Sequence, residues 1–131
     1  MSSIRIDVEG NIATAPELRI TPTGKSVCSF RLLSTARIPD GNGGWRDGDT
    51  TAFEVTIWGK PAENAATRLR KGHRVQVTAS RITAEAWTDR DEAMRTTMKL
   101  TADRVALVMN LDQQTERTGA DRATDREPVA A

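Results

Sequence analysis

Alternation of apolar and polar side chains over short runs most restricts how this chain can fold. In residues 52–58, Phe53, Val55 and Ile57 share one parity, and the other parity is mostly polar. A period of two is typical of a β-strand with one buried face and one wet face. Such runs recur along the 131 residues, so we predict a single, mostly β domain.

A change of parity inside one run predicts a bent strand. Over residues 74–88 the apolar positions change from odd numbers, ending at Ala79, to even numbers, beginning at Ile82. One extra residue near Ser80 would cause that change, so we expect a β-bulge there.

One short helix is predicted, with Pro61 in its first turn and Gly72 just beyond its end. The stretch around Pro16 is expected to be irregular. Residues 39–48 contain four glycines and are expected to form a long hairpin loop. The resulting order is three strands, the helix and two strands. It favours an all-β, five-stranded Greek-key barrel of the OB type, with the helix between strands 3 and 4.

The C-terminal end differs from the rest in composition. Residues 111–131 hold three basic and five acidic side chains, whereas residues 1–110 hold sixteen basic and thirteen acidic ones. Apolar residues nearly vanish after Leu111. We therefore predict an ordered domain at 1–110 and a disordered tail at 111–131.

The location of the protein is inferred from residue usage. A single cysteine, Cys28, excludes an internal disulfide and fits a reducing compartment. The sequence has neither an apolar run long enough to span a membrane nor a signal-peptide core at its start. We therefore expect a cytoplasmic protein.

Two tryptophans project from the polar faces of predicted strands. Trp58 shares the parity of Glu54, and Trp87 shares the parity of Glu85, in a chain with no tyrosine. Exposed indoles are platforms for flat ligands, and every nucleic-acid base has a face that can stack. The same two side chains would also suit a protein–protein interface. Both interpretations follow from the pattern alone.

Eight short blocks follow one another along the chain. They are VEGN at 8–11, PELR at 16–19, TPTG at 21–24, IWGK at 57–60, AEN at 62–64, LRKG at 69–72, WTD at 87–89 and RTT at 95–97. In this order, and with the strand at 27–35, they resemble the bacterial single-stranded-DNA-binding protein family over residues 4–109. The resemblance implies an OB fold, sequence-independent binding of single-stranded DNA and a homotetramer. It implies neither catalysis nor a cofactor.

The resemblance also implies candidate binding residues. Trp58 and Trp87 fall where the family places base-stacking aromatics, while Lys60, Lys71 and Arg95 fall where it has basic residues near the DNA backbone. We add Trp45, in the predicted loop, as a third stacking candidate. Six further phosphate-binding candidates rest on residue type alone: Arg19, Arg31, Arg37, Arg46, Arg81 and Lys99.

Some positions depart from the family pattern. Ala52 stands where many members have a tryptophan, and Thr83 and Glu85 lie where basic residues are common. The chain ends in Pro128-Val129-Ala130-Ala131, whereas members that recruit client enzymes usually end in an acidic tip closing on Pro-Phe. We therefore predict an auxiliary paralogue, or a phage- or plasmid-encoded member, that does not gather those clients through its C-terminus.

Three functions are compared. The leading hypothesis is protection of single-stranded DNA in replication, recombination or repair. The alternative is an OB-fold adaptor whose aromatic side chains bind another protein. A hydrolase is not supported, because the sequence has no His–carboxylate constellation. Asp89, Asp91 and Glu92 are interpreted as a solvated turn, so no metal site is predicted.

Overall fold

Six strands and one helix are formed by residues 2–109, the part of the chain that this computed structural model describes. The predicted tail, at 111–131, lies outside those residues. Within 2–109, no helix is both long and apolar enough to cross a membrane. The elements are β1 (Ile6–Ile12), β2 (Glu17–Ile20), β3 (Ser26–Pro39), β4 (Trp45–Trp58), α1 (Lys60–Arg68), β5 (Arg74–Thr88) and β6 (Met94–Leu107).

Five of these strands close into a barrel. Antiparallel pairs join β1 to β5, β5 to β6 and β4 to β3, and a parallel pair joins β6 to β4. Closure comes from β1 and β3, where Asn11 pairs with Leu33 and Ile12 with Leu32. Because β2 pairs only with β3, it lies outside this cycle as a short edge strand.

The apolar side chains on the inward face of each strand fill the barrel. Leu32, Val55, Val77 and Leu100 are at most 1% exposed. Burying an aliphatic side chain of this size stabilises the fold by roughly 1.5–3 kcal/mol. The opposite parity of β3 and β4 therefore faces outwards, as the alternation predicts.

The helix α1 is shorter than predicted. It begins directly after Gly59, whose φ of 78° suits a residue without a Cβ, and Pro61 lies in its first turn. It ends at Arg68, because the next residue, Leu69, is already extended and carries a buried side chain. Ala62 and Ala65 pack on the core. The helix thus covers one side of the barrel near the end of β4.

The predicted bulge is confirmed. The pairing of β5 with β6 shifts around Ala79, and Ser80 has no partner in the register. After that point Ile82 takes the inward parity, and Arg81, Glu85 and Trp87 take the outward one.

Two sequence predictions were wrong. The stretch around Pro16 is not wholly irregular, because residues 17–20 pair with β3 to form β2. The hairpin loop covers 40–44 rather than 39–48, so Trp45 and Arg46 belong to β4. The physical reason lies in the glycines. Gly41 and Gly43 have positive φ, which is typical of a turn. Gly48 does not have positive φ and is therefore compatible with a strand.

Candidate nucleic-acid interface

An open groove of about 1010 Å³ lies on the outer face of the barrel. Its floor is the outward parity of β3 and β4, including Arg31 and Glu54. One wall is the segment 14–17, which leads into β2. The other wall is the end of the β5–β6 hairpin, with Trp87 and Arg95. The groove therefore crosses the face that OB folds use for oligonucleotides, beside the turn between the last two strands.

Trp87 forms part of the second wall. Its side chain is 46% exposed, which confirms that it leaves the core. Its cross-strand partner is Arg95, and its indole Nε1–H donates a hydrogen bond to the Oγ1 of Thr97 at 2.9 Å. This bond directs the polar edge of the ring towards β6 and leaves the apolar surface to contact a ligand.

Arg95 is held by the turn that joins β5 to β6. Its Nε donates to Oδ2 of Asp89 at 2.8 Å, while Oδ1 of Asp89 accepts the backbone N–H groups of Asp91 and Ala93. The hydrogen bond from Arg95, followed by those from the backbone, lowers the pKa of Asp89 below its usual range. The Asp89 carboxylate is thus occupied in ordering the turn. Among the described residues, no three His, Cys, Asp or Glu side chains converge as metal ligands.

Trp58 ends β4 on the same outer parity as Glu54 and is also 46% exposed. The two lie four positions apart, which corresponds to ~13 Å along a strand. Its cross-strand neighbour is Val27, which in turn pairs with Arg19 of β2. The indole therefore lies on the outward face of β4, beyond the groove. Arg19, two strands away on β2, lies in the same row of paired residues.

Trp45 is 61% exposed but lies at the other end of β4, paired with Pro39 near the tip of the β3–β4 hairpin. It does not line the groove. Arg46 is its neighbour in β4, and Arg37 pairs in register with Asp47. Of the three predicted stacking residues, the structure therefore places only Trp87 in the groove. Trp58 lies on the outward face of β4 outside the groove, and Trp45 belongs to a separate projecting hairpin.

Four of the predicted phosphate-binding residues form ion pairs with carboxylates. The pairs are Arg37–Asp47 at 3.7 Å, Lys60–Glu63 at 3.5 Å, Arg95–Asp89 at 2.8 Å and Lys99–Glu85 at 3.1 Å.

The other five predicted phosphate-binding residues make no ion pair within 4.0 Å in the part of the chain described. Among them, Arg31 is on the groove floor, Lys71 lies in the turn after α1, and Arg81 follows the bulge. Only Arg31 and Arg95 line the groove itself. The complete set of five is Arg19, Arg31, Arg46, Lys71 and Arg81.

Sequence reasoning missed most of the residues that line this groove, including Glu54, Glu17 and Thr97. Glu54 lines the groove between strands that carry Arg31 and Lys99, and its shared parity with Trp58 was the signal that could have found it. Glu17 and Thr97 also line the groove. Their positions depend on strand pairing, for which the sequence offers no local signal.

The comparison with known families agrees with this geometry. A family model described as the single-strand binding protein family matches residues 4–108. The chain belongs to the single-strand binding protein family.

Curated relatives of this single-strand binding family member share about a third of its residues. A single-stranded DNA-binding protein from Paenarthrobacter aurescens is 36% identical over 101 residues, covering 76% of this chain and 58% of that protein. Single-stranded DNA-binding protein 2 from Streptomyces coelicolor is 38% identical over 101 residues, covering 76% and 50%. The aligned part thus spans about half to three fifths of these relatives.

The crystal structure of the small single-stranded DNA-binding protein from Streptomyces coelicolor has a similar fold. It superimposes on this single-strand binding family member with a TM-score of 0.70 and 31% identity, covering 83% of this chain and 97% of that one. The likeness confirms the predicted OB-type barrel with one short helix.

Proposed function

We propose that this chain binds single-stranded DNA without sequence preference and protects it during replication, recombination or repair. The observation that carries the proposal is the placement of Trp58 and Trp87, two half-exposed indoles on the outer face of one OB barrel. Membership of the single-strand binding family supports it, as do the names of the relatives described above.

Stacking on the two indoles supplies the attraction to bases. Each stacked base contributes roughly 1–3 kcal/mol in proteins of this kind. Stacking uses the face of a base and ignores its hydrogen-bonding edge, so the binding tolerates any sequence. Bases in a duplex already stack on one another, which explains the preference for single strands.

Phosphate contacts come from cations that border the same surface. Arg31 lies on the groove floor, Arg95 lies beside Trp87, and Arg19 lies in the row of Trp58. Each phosphate that such a side chain neutralises adds a salt-sensitive increment to the affinity. Trp45, Arg37 and Arg46 form a second, distant group of candidates on the projecting hairpin. Lys60, Lys71, Arg81 and Lys99 complete the proposed set.

Family proteins of this type bind DNA without catalysing a reaction. The assembly we propose is a homotetramer acting in the cytoplasm, and the role we propose for it is auxiliary. Sedimentation of the full chain tests the assembly, with four copies expected.

Affinity for labelled poly(dT), measured by fluorescence anisotropy at low and high salt, tests DNA binding. We expect saturable binding that weakens with salt, and a loss of about 5- to 150-fold in Trp58→Ala and in Trp87→Ala. Trp58→Phe is the matched control, because it keeps an aromatic face and should retain most of the affinity. Unchanged affinity in both alanine variants would contradict the stacking surface.

One observation favours the adaptor as a second candidate. Arg95, beside Trp87, and Lys99, four positions further along β6, already have carboxylate partners, which weakens the case for phosphate contacts there. An adaptor predicts that tryptophan emission is unaffected by poly(dT) and changes only when a protein partner is added. Quenching by poly(dT) at low salt would exclude it as the main function of this face.

A further inference from the structure

A salt bridge connects two strands beside the groove. Oε1 of Glu85 on β5 lies 3.1 Å from Nζ of Lys99 on β6, and both side chains are partly exposed. Glu85 pairs in register with Thr97, and Lys99 pairs with Thr83, so the contact is diagonal across the outer face. The bond and the nearby charge of Glu85 raise the pKa of Lys99 above its ordinary value.

A second carboxylate approaches the same lysine from the opposite side. Glu54 is the register partner of Lys99 in the parallel β4–β6 pair and of Arg31 in the antiparallel β4–β3 pair. Glu54 therefore lies between two cations on the floor of the groove. Its charge adds to the rise in the pKa of Lys99. Lys99 is thus flanked by carboxylates on both neighbouring strands.

We propose that Glu85, assisted by Glu54, is an internal competitor for Lys99 that limits the contribution of this lysine to DNA binding. A phosphate group and the Glu85 carboxylate compete for the same ammonium group. The net free energy that Lys99 adds to DNA binding is therefore only the difference between its contact with phosphate and its contact with Glu85. The competitor is already in place at 3.1 Å, whereas a phosphate must be brought in with the DNA. The inference rests on the proposed binding of single-stranded DNA by this face.

The proposed competition changes the salt dependence of binding. Each phosphate neutralised on single-stranded DNA steepens the dependence of log K on log salt by about 0.7. While Lys99 is paired with Glu85, its contribution to this slope is largely absent. Removing the Glu85 charge restores the contribution, so the gain in affinity is largest at low salt and disappears as the salt concentration rises.

The test compares Glu85→Gln with the wild-type full chain on poly(dT) across a range of salt concentrations. We expect binding about 2- to 5-fold tighter at low salt, the range of an exposed ion pair, and a slope steeper by up to about 0.7. Asp103→Asn is the matched control. It removes the same charge from an exposed carboxylate that has no ion pair within the described residues and lies outside the groove.

Lys99→Gln completes a double-mutant cycle. In the Glu85→Gln background it should remove the whole gain, a larger loss than it causes in the wild type, where Glu85 competes for Lys99. The inference is overturned if Glu85→Gln binds no more tightly, if Asp103→Asn gives the same gain, or if Lys99→Gln costs equally in both backgrounds.

The two proposals fail in different ways. Wild-type binding that depends on Trp87 but is not improved by Glu85→Gln overturns only the competitor. Absence of poly(dT) binding by the wild type and by the Glu85→Gln variant overturns both. Melting temperatures of the variants should match that of the wild type, because Glu85 and Asp103 are exposed and Lys99 is partly exposed.

Discussion

Trp87 donates its indole N–H to the hydroxyl of Thr97, 2.9 Å away on the neighbouring strand. The indole lies at the end of the β5–β6 hairpin, and this hydrogen bond turns its polar edge towards β6. Thr97 itself lines the groove. This residue therefore both positions the proposed stacking ring and borders the groove.

Replacement of Thr97 by Val keeps the shape of the side chain and removes the acceptor. A hydrogen bond of this kind contributes about 0.5–1.5 kcal/mol, so we expect affinity for poly(dT) to fall about 2- to 10-fold. Tryptophan emission should also change in the free protein, because the environment of the indole N–H changes. Anisotropy titration and emission spectra measure the two effects.

Thr83→Val is the matched control for that substitution. Thr83 lies on the outer parity of β5 and makes no side-chain hydrogen bond within the described residues. We expect it to bind poly(dT) like the wild type. Equal losses in the two variants would show that threonine hydroxyls act on the DNA or on the sheet in general, and not through Trp87.

Closure of the barrel depends on Gly10. A Cβ at this position would overlap the backbone carbonyl of Leu33, where β1 meets β3. We expect Gly10→Ala to lower the free energy of unfolding by about 1–3 kcal/mol, measured by urea denaturation. Gly48→Ala is the control, since its Cβ would meet the Ile38 side chain at 3.3 Å, which can move. Equal effects would argue against a specific close approach at Gly10.

The alternation of apolar and polar residues predicted much of the fold. The parity of residues 52–58 placed Trp58 outside the barrel, and the parity change near Ser80 located the bulge. Both predictions depend only on neighbours along one strand, where the sequence is directly informative. The resemblance to a family supplied the barrel type that strand order alone left open.

Features that depend on pairing between strands could not be predicted in the same way. The edge strand β2 is only four residues long and all four are exposed, so the alternation of Leu18 and Ile20 with Glu17 and Arg19 is too short to identify a strand. The bond between Trp87 and Thr97 requires the register of β5 against β6. The Lys99–Glu85 pair requires it too, which is why Lys99 could be proposed as a phosphate ligand without its competitor.

Trp45 should matter only for long DNA. It lies at the tip end of the β3–β4 hairpin, away from the groove. We expect Trp45→Ala to leave the affinity for oligo(dT) of about 8 nucleotides unchanged and to weaken binding of chains several times longer by ~1 kcal/mol or more. Trp87→Ala, the control, should weaken both. Equal losses of affinity at both DNA lengths for Trp45→Ala would show that Trp45 belongs to the same binding surface as Trp87.

The only histidine makes stability depend on pH. Burial, and then the charge of Arg70, lowers the pKa of His73 below 6.5, and its Nδ1 accepts the backbone N–H of Arg70 at 3.1 Å. Protonation therefore favours the unfolded state, so stability falls as the pH drops from about 6.5 through the lowered value. Urea midpoints between pH 7.5 and 5.5 should decrease in the wild type and stay flatter in His73→Gln. The three carboxyl groups with lowered pKa values, Asp7, Asp40 and Asp89, titrate below 3.8 and lie outside this window. Parallel curves for the two proteins would show that His73 is not the source.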